Sequence, residues 1–202
     1  MSGGFIVVLA ILAFAAVTIF KGVRIVPQGY KWIVQRLGKY HTTLNPGLNF
    51  VIPYVDEVAY KVTTKDIVLD IPSQEVITRD NAVLLMNAVA YINITTPVNA
   101  VYGIENYTWA IQNLVQTSLR SIVGEMDLDD ALSSRDHIKA KLKAAISDDI
   151  SDWGITLKTV EIQDIQPSST MQAAMEAQAA AERQRRATVT KADGEKQAAI
   201  LE

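Results

Sequence analysis

The 202-residue chain predicts an α+β fold: a sheet-rich half, then helices, then a returning strand, set between an apolar N-terminal helix and a long Ala/Glu-rich helix. Three observations carry this. Residues 5–20 hold a single polar side chain, Thr18, and no charge. The apolar pattern from residue 23 to 94 is strand-like, and at Thr95 its period changes from two to nearly four. From residue 171 to the end there is no proline, and the composition is dense in Ala, Glu, Gln, Lys and Arg, which favours helix strongly.

The first element, 1–23, reads as a membrane anchor. With its flanking residues the apolar run reaches about 20 residues, enough at ~1.5 Å each for a ~30 Å hydrocarbon core. A cleaved signal peptide would begin with Lys or Arg, and the Ala13-Phe14-Ala15 triplet that mimics a cleavage site lies inside the run, so a retained span is expected. Lys21, Arg24, Lys31, Arg36 and Lys39 follow, and the first acid is Asp56. The positive-inside rule then places the N-terminus outside and everything after residue 20 in the cytoplasm, at an inner (plasma) membrane crossed once.

Residues 23–26 and 31–37 read as short strands joined by a Pro27-Gln28-Gly29 turn. The stretch 48–53 is apolar and bracketed by prolines, a poor central strand. Its side chains are expected in the core; the alternative is a dip into the membrane interface with Leu48, Phe50 and Tyr54 as wedges. A half-buried strand at 66–71 alternates Ile67, Leu69 and Ile71 against polar neighbours. Strands at 75–78 and 82–94 flank a hairpin turn at Arg79-Asp80-Asn81, and the second is apolar on both faces, so it should be central in a mostly antiparallel sheet.

Thr96 and Pro97 mark a helix start. A helix over 107–123 carries the stripe Ile111, Leu114, Val115, Ser118, Leu119 and Ile122, and stops at Gly124. Asp127 and Ser133 read as caps, Ser133 with Asp136 as a capping-box variant. The next helix presents Ile138, Leu142, Ala145, Ile146 and Ile150, with Lys139, Lys141 and Lys143 mostly outward. A strand over 155–165 shifts its apolar phase near Thr159, the mark of a bulge. Along 171–202, Ala173, Ala177, Ala180 and Ala187 permit close packing against neighbouring copies, while a solitary solvated helix accounts equally well for the same residues.

Composition narrows function. A net charge of −3 indicates neither a nucleic-acid binder nor an acidic disordered chain. Without cysteine there is no disulfide, thiolate metal site or cysteine nucleophile. His41 and His137 stand far apart without metal-ligand spacing, and no phosphate-binding glycine loop or serine elbow occurs, so no catalytic, cofactor or metal residue is assigned. Asp127, Asp129 and Asp130 read as helix caps rather than a calcium loop, whose glycine would fall at Leu132. Asn93 and Asn106 open glycosylation sequons that a cytoplasmic location would leave unused. Arg183, Arg185 and Arg186, with Glu176 and Glu182, form a solvated helix face or set the register between neighbouring helices.

Six ordered stretches, VPQGYKWIVQRLGKY (26–40), LNPGLNFVIPYVDEV (44–58), DIPSQEVITRDN (70–81), AVYGIENYTWAIQNLVQTSLRSIVGEMDLDDALSSRD (100–136), WGITLKTVEIQDI (153–165) and AAAERQRRATVTKADGEKQAAILE (179–202), resemble the SPFH (stomatin, prohibitin, flotillin, HflK/C; Band 7) superfamily. The likeness is to its stomatin-like or paraslipin branch, which includes QmcA-type bacterial membrane proteins. It implies an SPFH domain in two subdomains, 24–95 and 96–166, and from 167 to 202 the start of a coiled-coil helix. It further implies a non-enzymatic scaffold: a large homo-oligomer, ring- or dome-like, enclosing a patch of lipid bilayer as a membrane microdomain. The alternative it implies is a regulatory partner of an AAA-type membrane protease or an NfeD-type membrane protein. Family members usually continue through several units like the one at 192–197, so the resemblance implies a chain cut short.

Overall fold

The computed structural model describes residues 3–201, with side chains described at 4–5, 7–192 and 194. The order is α1 (Gly3–Gly22), β1 (Val23–Val26), β2 (Tyr30–Arg36), β3 (Lys39–Leu44), β4 (Gly47–Phe50), β5 (Asp56–Thr63), β6 (Ile67–Ile77), β7 (Val83–Ile94), α2 (Pro97–Tyr102), α3 (Tyr107–Gly124), α4 (Leu128–Ser133), α5 (Arg135–Asp152), β8 (Ile155–Pro167) and α6 (Ser169–Leu201). Every strand pairing is antiparallel: a ribbon β1-β4, a sheet β3-β2-β5 and a sheet β6-β7-β8.

The main core lies on one face of β6-β7-β8. Leu84, Met86, Ala88, Ala90, Ile92 and Ile94 alternate onto that face of β7, and all are buried. Against them lie Ile111, Val115 and Leu119 of α3, and Ile138, Leu142, Ile146 and Ile150 of α5, spaced so that one stripe of each helix faces the sheet. Each large aliphatic side chain so buried contributes roughly 1.5–3 kcal/mol. The opposite face of β7 is only partly covered, with Leu85 and Tyr91 exposed, so its centrality comes from pairing on both edges rather than from two buried faces. Because β8 returns beside β7, this sheet draws strands from both sides of residue 95. Gly154 makes the return possible: at φ +69 its carbonyl accepts the amides of Thr95 and Thr96, and a Cβ there would stand 2.5 Å from the Thr96 oxygen.

Several expectations are corrected. Among the described residues no helix is long and apolar enough to cross a membrane, which overturns the transmembrane anchor at 1–23. The run 5–20 by itself rises only about 24 Å, and the residues that would extend it are glycines and Lys21. Met1 and Ser2 lie outside the described residues, and the orientation built on a span falls with it. Among the described residues no long coiled coil is present either. The 33-residue α6 is a single helix on which Met171 and Met175 are the only half-buried apolar side chains among those described, so there is no seam for a second helix. Most side chains of the unit at 192–197 lie outside the described residues.

At finer scale, β1 and β2 do not form a hairpin; β1 pairs with β4, while β2 sits between β3 and β5. The strands read at 66–71 and 75–78 are one, β6, continuous through a register shift between Ile71 and Gln74. The bulge near Thr159 is present as a shift between Leu157 and Thr159, and a second, unforeseen shift follows between Ile162 and Asp164. Ala145 is exposed, as its position between Leu142 and Ile146 on the helix turn leaves it off the buried stripe.

Candidate functional site

The clearest concentration of unpartnered chemistry lies at the foot of α1. Cross-strand partners in an antiparallel ribbon share a face, and β1-β4 pairs Val23 with Phe50 and Ile25 with Leu48. All four are exposed, Ile25 at 70% and Leu48 at 76%. Phe20, Ile52 and Tyr54 add to the same bare apolar zone, which is the arrangement that marks an interaction or membrane surface rather than scattered solvent contacts. So the expectation that 48–53 packs in the core holds only for Val51, at 5% exposure. The prolines at 46 and 53 bracket a ribbon too short to fold its outer face inward.

This zone is held rigidly to the domain. Val51 donates its amide to the Gly22 carbonyl at 2.8 Å, fixing the end of α1. A Cβ at Gly22 would lie 2.8 Å from the Val51 oxygen and 2.9 Å from the Phe50 ring, so only glycine admits this approach. Arg36 grips Asp56 through two bonds, Nε to Oδ1 at 2.7 Å and Nη2 to Oδ2 at 3.0 Å. The Ile52 amide adds a third at 3.0 Å. The Arg36 guanidinium, with the Ile52 amide assisting against burial, holds the Asp56 carboxyl down to about 2. Asp56 also forms part of the wall of a cavity of about 510 Å³, whose other lining residues are Phe20, Lys21, Arg24, Val51, Pro53 and Tyr54. The Lys21 ammonium sits 5.6 Å from the Tyr54 ring centre.

A second junction lies where α6 leaves the sheet. A cleft of about 420 Å³ between the β6-β7 hairpin tip, α4 and α6 is lined by Asp80, Asp127, Asp129, Met175, Ala179 and Glu182. Two of its acids are committed to the fold: Asp80 accepts the Thr78 hydroxyl at 2.5 Å and the Leu128 amide at 3.2 Å, and Arg79 pairs with Asp127. The Thr78 hydroxyl bond is the main influence holding the Asp80 carboxyl below its usual range. Hence Asp80, from a distant hairpin, supplies the bond to α4 that Asp127 was expected to make. Among the described residues no group of three or more His, Asp and Glu side chains is placed to hold a metal ion.

The other singled-out residues are scattered. His41 lies exposed on β3 and His137 exposed on α5. Ser133 bonds back to the Asp129 carbonyl instead of capping α5, whose N-terminal cap position is Ser134. Asn106, read only as a sequon, caps α3 by accepting the Trp109 amide, and Asn93 binds the Thr64 carbonyl and Asp66. Lys139 pairs with Glu161 and Lys143 donates to the Lys158 carbonyl, so two of the three outward lysines cover the edge of β8. Arg185 and Arg186 both pair with Glu182 on their own helix, the solvated-face arrangement. Sequence reading missed Tyr102. It accepts a bond from Gln35 Nε2 at 2.7 Å and meets Tyr40 and Tyr60 edge-on at 6.2 and 6.0 Å, joining α2 to the β3-β2-β5 sheet.

Comparison with known proteins adds an independent line. Residues 24–196 match the SPFH domain / Band 7 family. A stomatin homologue of Pyrococcus abyssi is 40% identical over 195 residues, 96% of this chain and 72% of its own. An uncharacterized protein of Methanothermobacter thermautotrophicus is 39% identical over 195 residues, 96% of this chain and 60% of its own. Stomatin-like protein 2, mitochondrial, of Homo sapiens is 38% identical over 175 residues, 87% of this chain and 49% of its own. The chain thus spans between half and three quarters of the length of these relatives.

Proposed function

Because the chain belongs to the SPFH domain / Band 7 family, we propose that it acts as a non-enzymatic scaffold seated on a lipid bilayer, where copies associate side by side to enclose a membrane microdomain. The observation that carries the reading is the bare apolar zone of α1 and the β1-β4 ribbon, held to a well-packed domain by the Val51–Gly22 bond. Water does not tolerate so large a contiguous apolar surface cheaply, and lipid accommodates it. Lys21 lies in the last turn of α1 and Arg24, Lys31, Arg36 and Lys39 follow the helix; such a basic run is drawn to the anionic cytoplasmic leaflet, so the globular part rests on the cytoplasmic face. Self-association rests on the family membership, since α6, with Met171 and Met175 as its only half-buried apolar side chains among those described, offers no apolar seam for it.

Size measurement after extraction in mild detergent tests this. A multi-copy particle that floats with added lipid is expected. A monomer at every concentration, staying in the aqueous fraction when vesicles are present, overturns the proposal.

A further inference from the structure

The cavity at the foot of α1 has features that a purely apolar contact with lipid does not require. Its wall carries two cations, Lys21 and Arg24, and among the described residues neither forms an ion pair with a carboxylate. The acid in the same wall, Asp56, is spoken for: its side chain is 4% exposed and its two oxygens are filled by Arg36 and the Ile52 amide. Glu57 lies in the adjoining cleft of about 340 Å³, which Arg24 and Lys61 also line, so cations outnumber the acids across the two cavities. With the Asp56 charge met by Arg36, the pocket presents a net positive charge from Lys21 and Arg24, with Phe20 and Tyr54 as its apolar rim. Tyr54 is set there by a left-handed backbone, φ +73, a conformation that non-glycine residues adopt at a cost and that turns its ring over the Lys21 ammonium.

From this geometry we infer that the cavity between Lys21, Arg24 and Tyr54 is a binding site for the phosphate-bearing headgroup of an anionic glycerophospholipid. Resting on the membrane reading above, it adds to it a defined lipid class and a defined site. Charge complementarity selects the headgroup: two unpaired cations on adjacent elements bracket one phosphate, the ammonium as a point charge and the guanidinium as a planar fork. The bare zone selects a lipid over a free anion. Phe20, at 81% exposure, and the apolar face of Ile25, Leu48 and Phe50 surround the pocket with surface suited to acyl chains. Since the Val51–Gly22 bond and the lack of room for a Cβ at Gly22 fix α1 to the ribbon, cations and apolar surface keep their relative positions before any lipid arrives.

The full chain is to be assayed by co-flotation with vesicles of phosphatidylcholine alone and of phosphatidylcholine containing phosphatidylglycerol, in high salt so that diffuse attraction is screened. Wild type is expected to favour the anionic vesicles; K21Q/R24Q should lose about thirty-fold in affinity for them, while K31Q/K39Q, with the same charge change elsewhere, should lose no more than about threefold. Binding of K21Q/R24Q to phosphatidylcholine vesicles should match wild type. Equal losses in the two double variants, or equal wild-type binding to both vesicle types, overturn the headgroup site while leaving the membrane reading intact. Binding to neither vesicle type overturns both. Displacement of the protein from anionic vesicles by inorganic phosphate assigns the pocket to a soluble anion and also overturns the inference. All four side chains are on the surface, so unchanged thermal unfolding will show that the variants are folded.

Discussion

The β1-β4 ribbon and the β6-β7-β8 sheet are made of the same kinds of residue and end in opposite environments. In the sheet, Ile92 and Leu142 are fully buried because two helical stripes close over a long three-stranded surface. In the ribbon, Ile25 and Leu48 stand bare because two strands of four residues offer nothing to close over and no helix crosses them. Apolar character is thus a statement about preference for leaving water. Whether protein or lipid provides the destination depends on what packs above.

The sharpest way to break this contrast is to truncate the same residue type in both places. Leu142→Ala should destabilise the fold by about 2–5 kcal/mol, through lost burial and the cavity left between α5 and the sheet. Leu48→Ala should change stability by no more than about 0.5 kcal/mol. Chemical denaturation of both variants reads the difference; comparable losses would mean the ribbon face is part of the core. Next in size, Gly22→Ala drives a Cβ into the Val51 carbonyl and the Phe50 ring, and should cost about 1–3 kcal/mol as an overpacked contact. Its thermal transition should fall clearly below that of an alanine placed at the open Gly4.

The smallest effect expected is electrostatic. Asp56 falls from 3.8 to about 2 on folding, so the folded state binds its proton less readily than the unfolded state. Its contribution to stability is therefore complete above about pH 4 and is lost as pH falls through about 2. Urea midpoints measured across that window should decline more steeply in wild type than in Asp56→Asn, and parallel curves would show that the Arg36–Asp56 pair does not anchor the ribbon's neighbourhood.

Much of the sheet-and-helix core was legible from local pattern. The four-residue spacing of Ile138, Leu142, Ile146 and Ile150, the stripe of α3, the turn at Arg79-Asp80-Asn81 and the bulge beside Thr159 are all consequences of nearest-neighbour geometry. The candidate site was less so. Tyr54 comes 30 positions after Arg24, with β2, β3 and β4 between them, and its meeting with Lys21 and Arg24 depends on β1 choosing β4 over the nearer β2. Asp80 reaching Leu128 and Tyr102 meeting Gln35 are likewise non-local, with sequence separations of 48 and 67.

What the chain's residues alone determined is where apolar surface and charge lie along it, and hence the helical and strand character of most elements, since these follow from side-chain period and backbone preference within a few residues. Tertiary structure decided which strands pair and which apolar face stays uncovered within the chain. Those outcomes hang on contacts between segments far apart in sequence, where a hydrogen-bonded ladder can form with more than one partner and only packing of the whole selects among them.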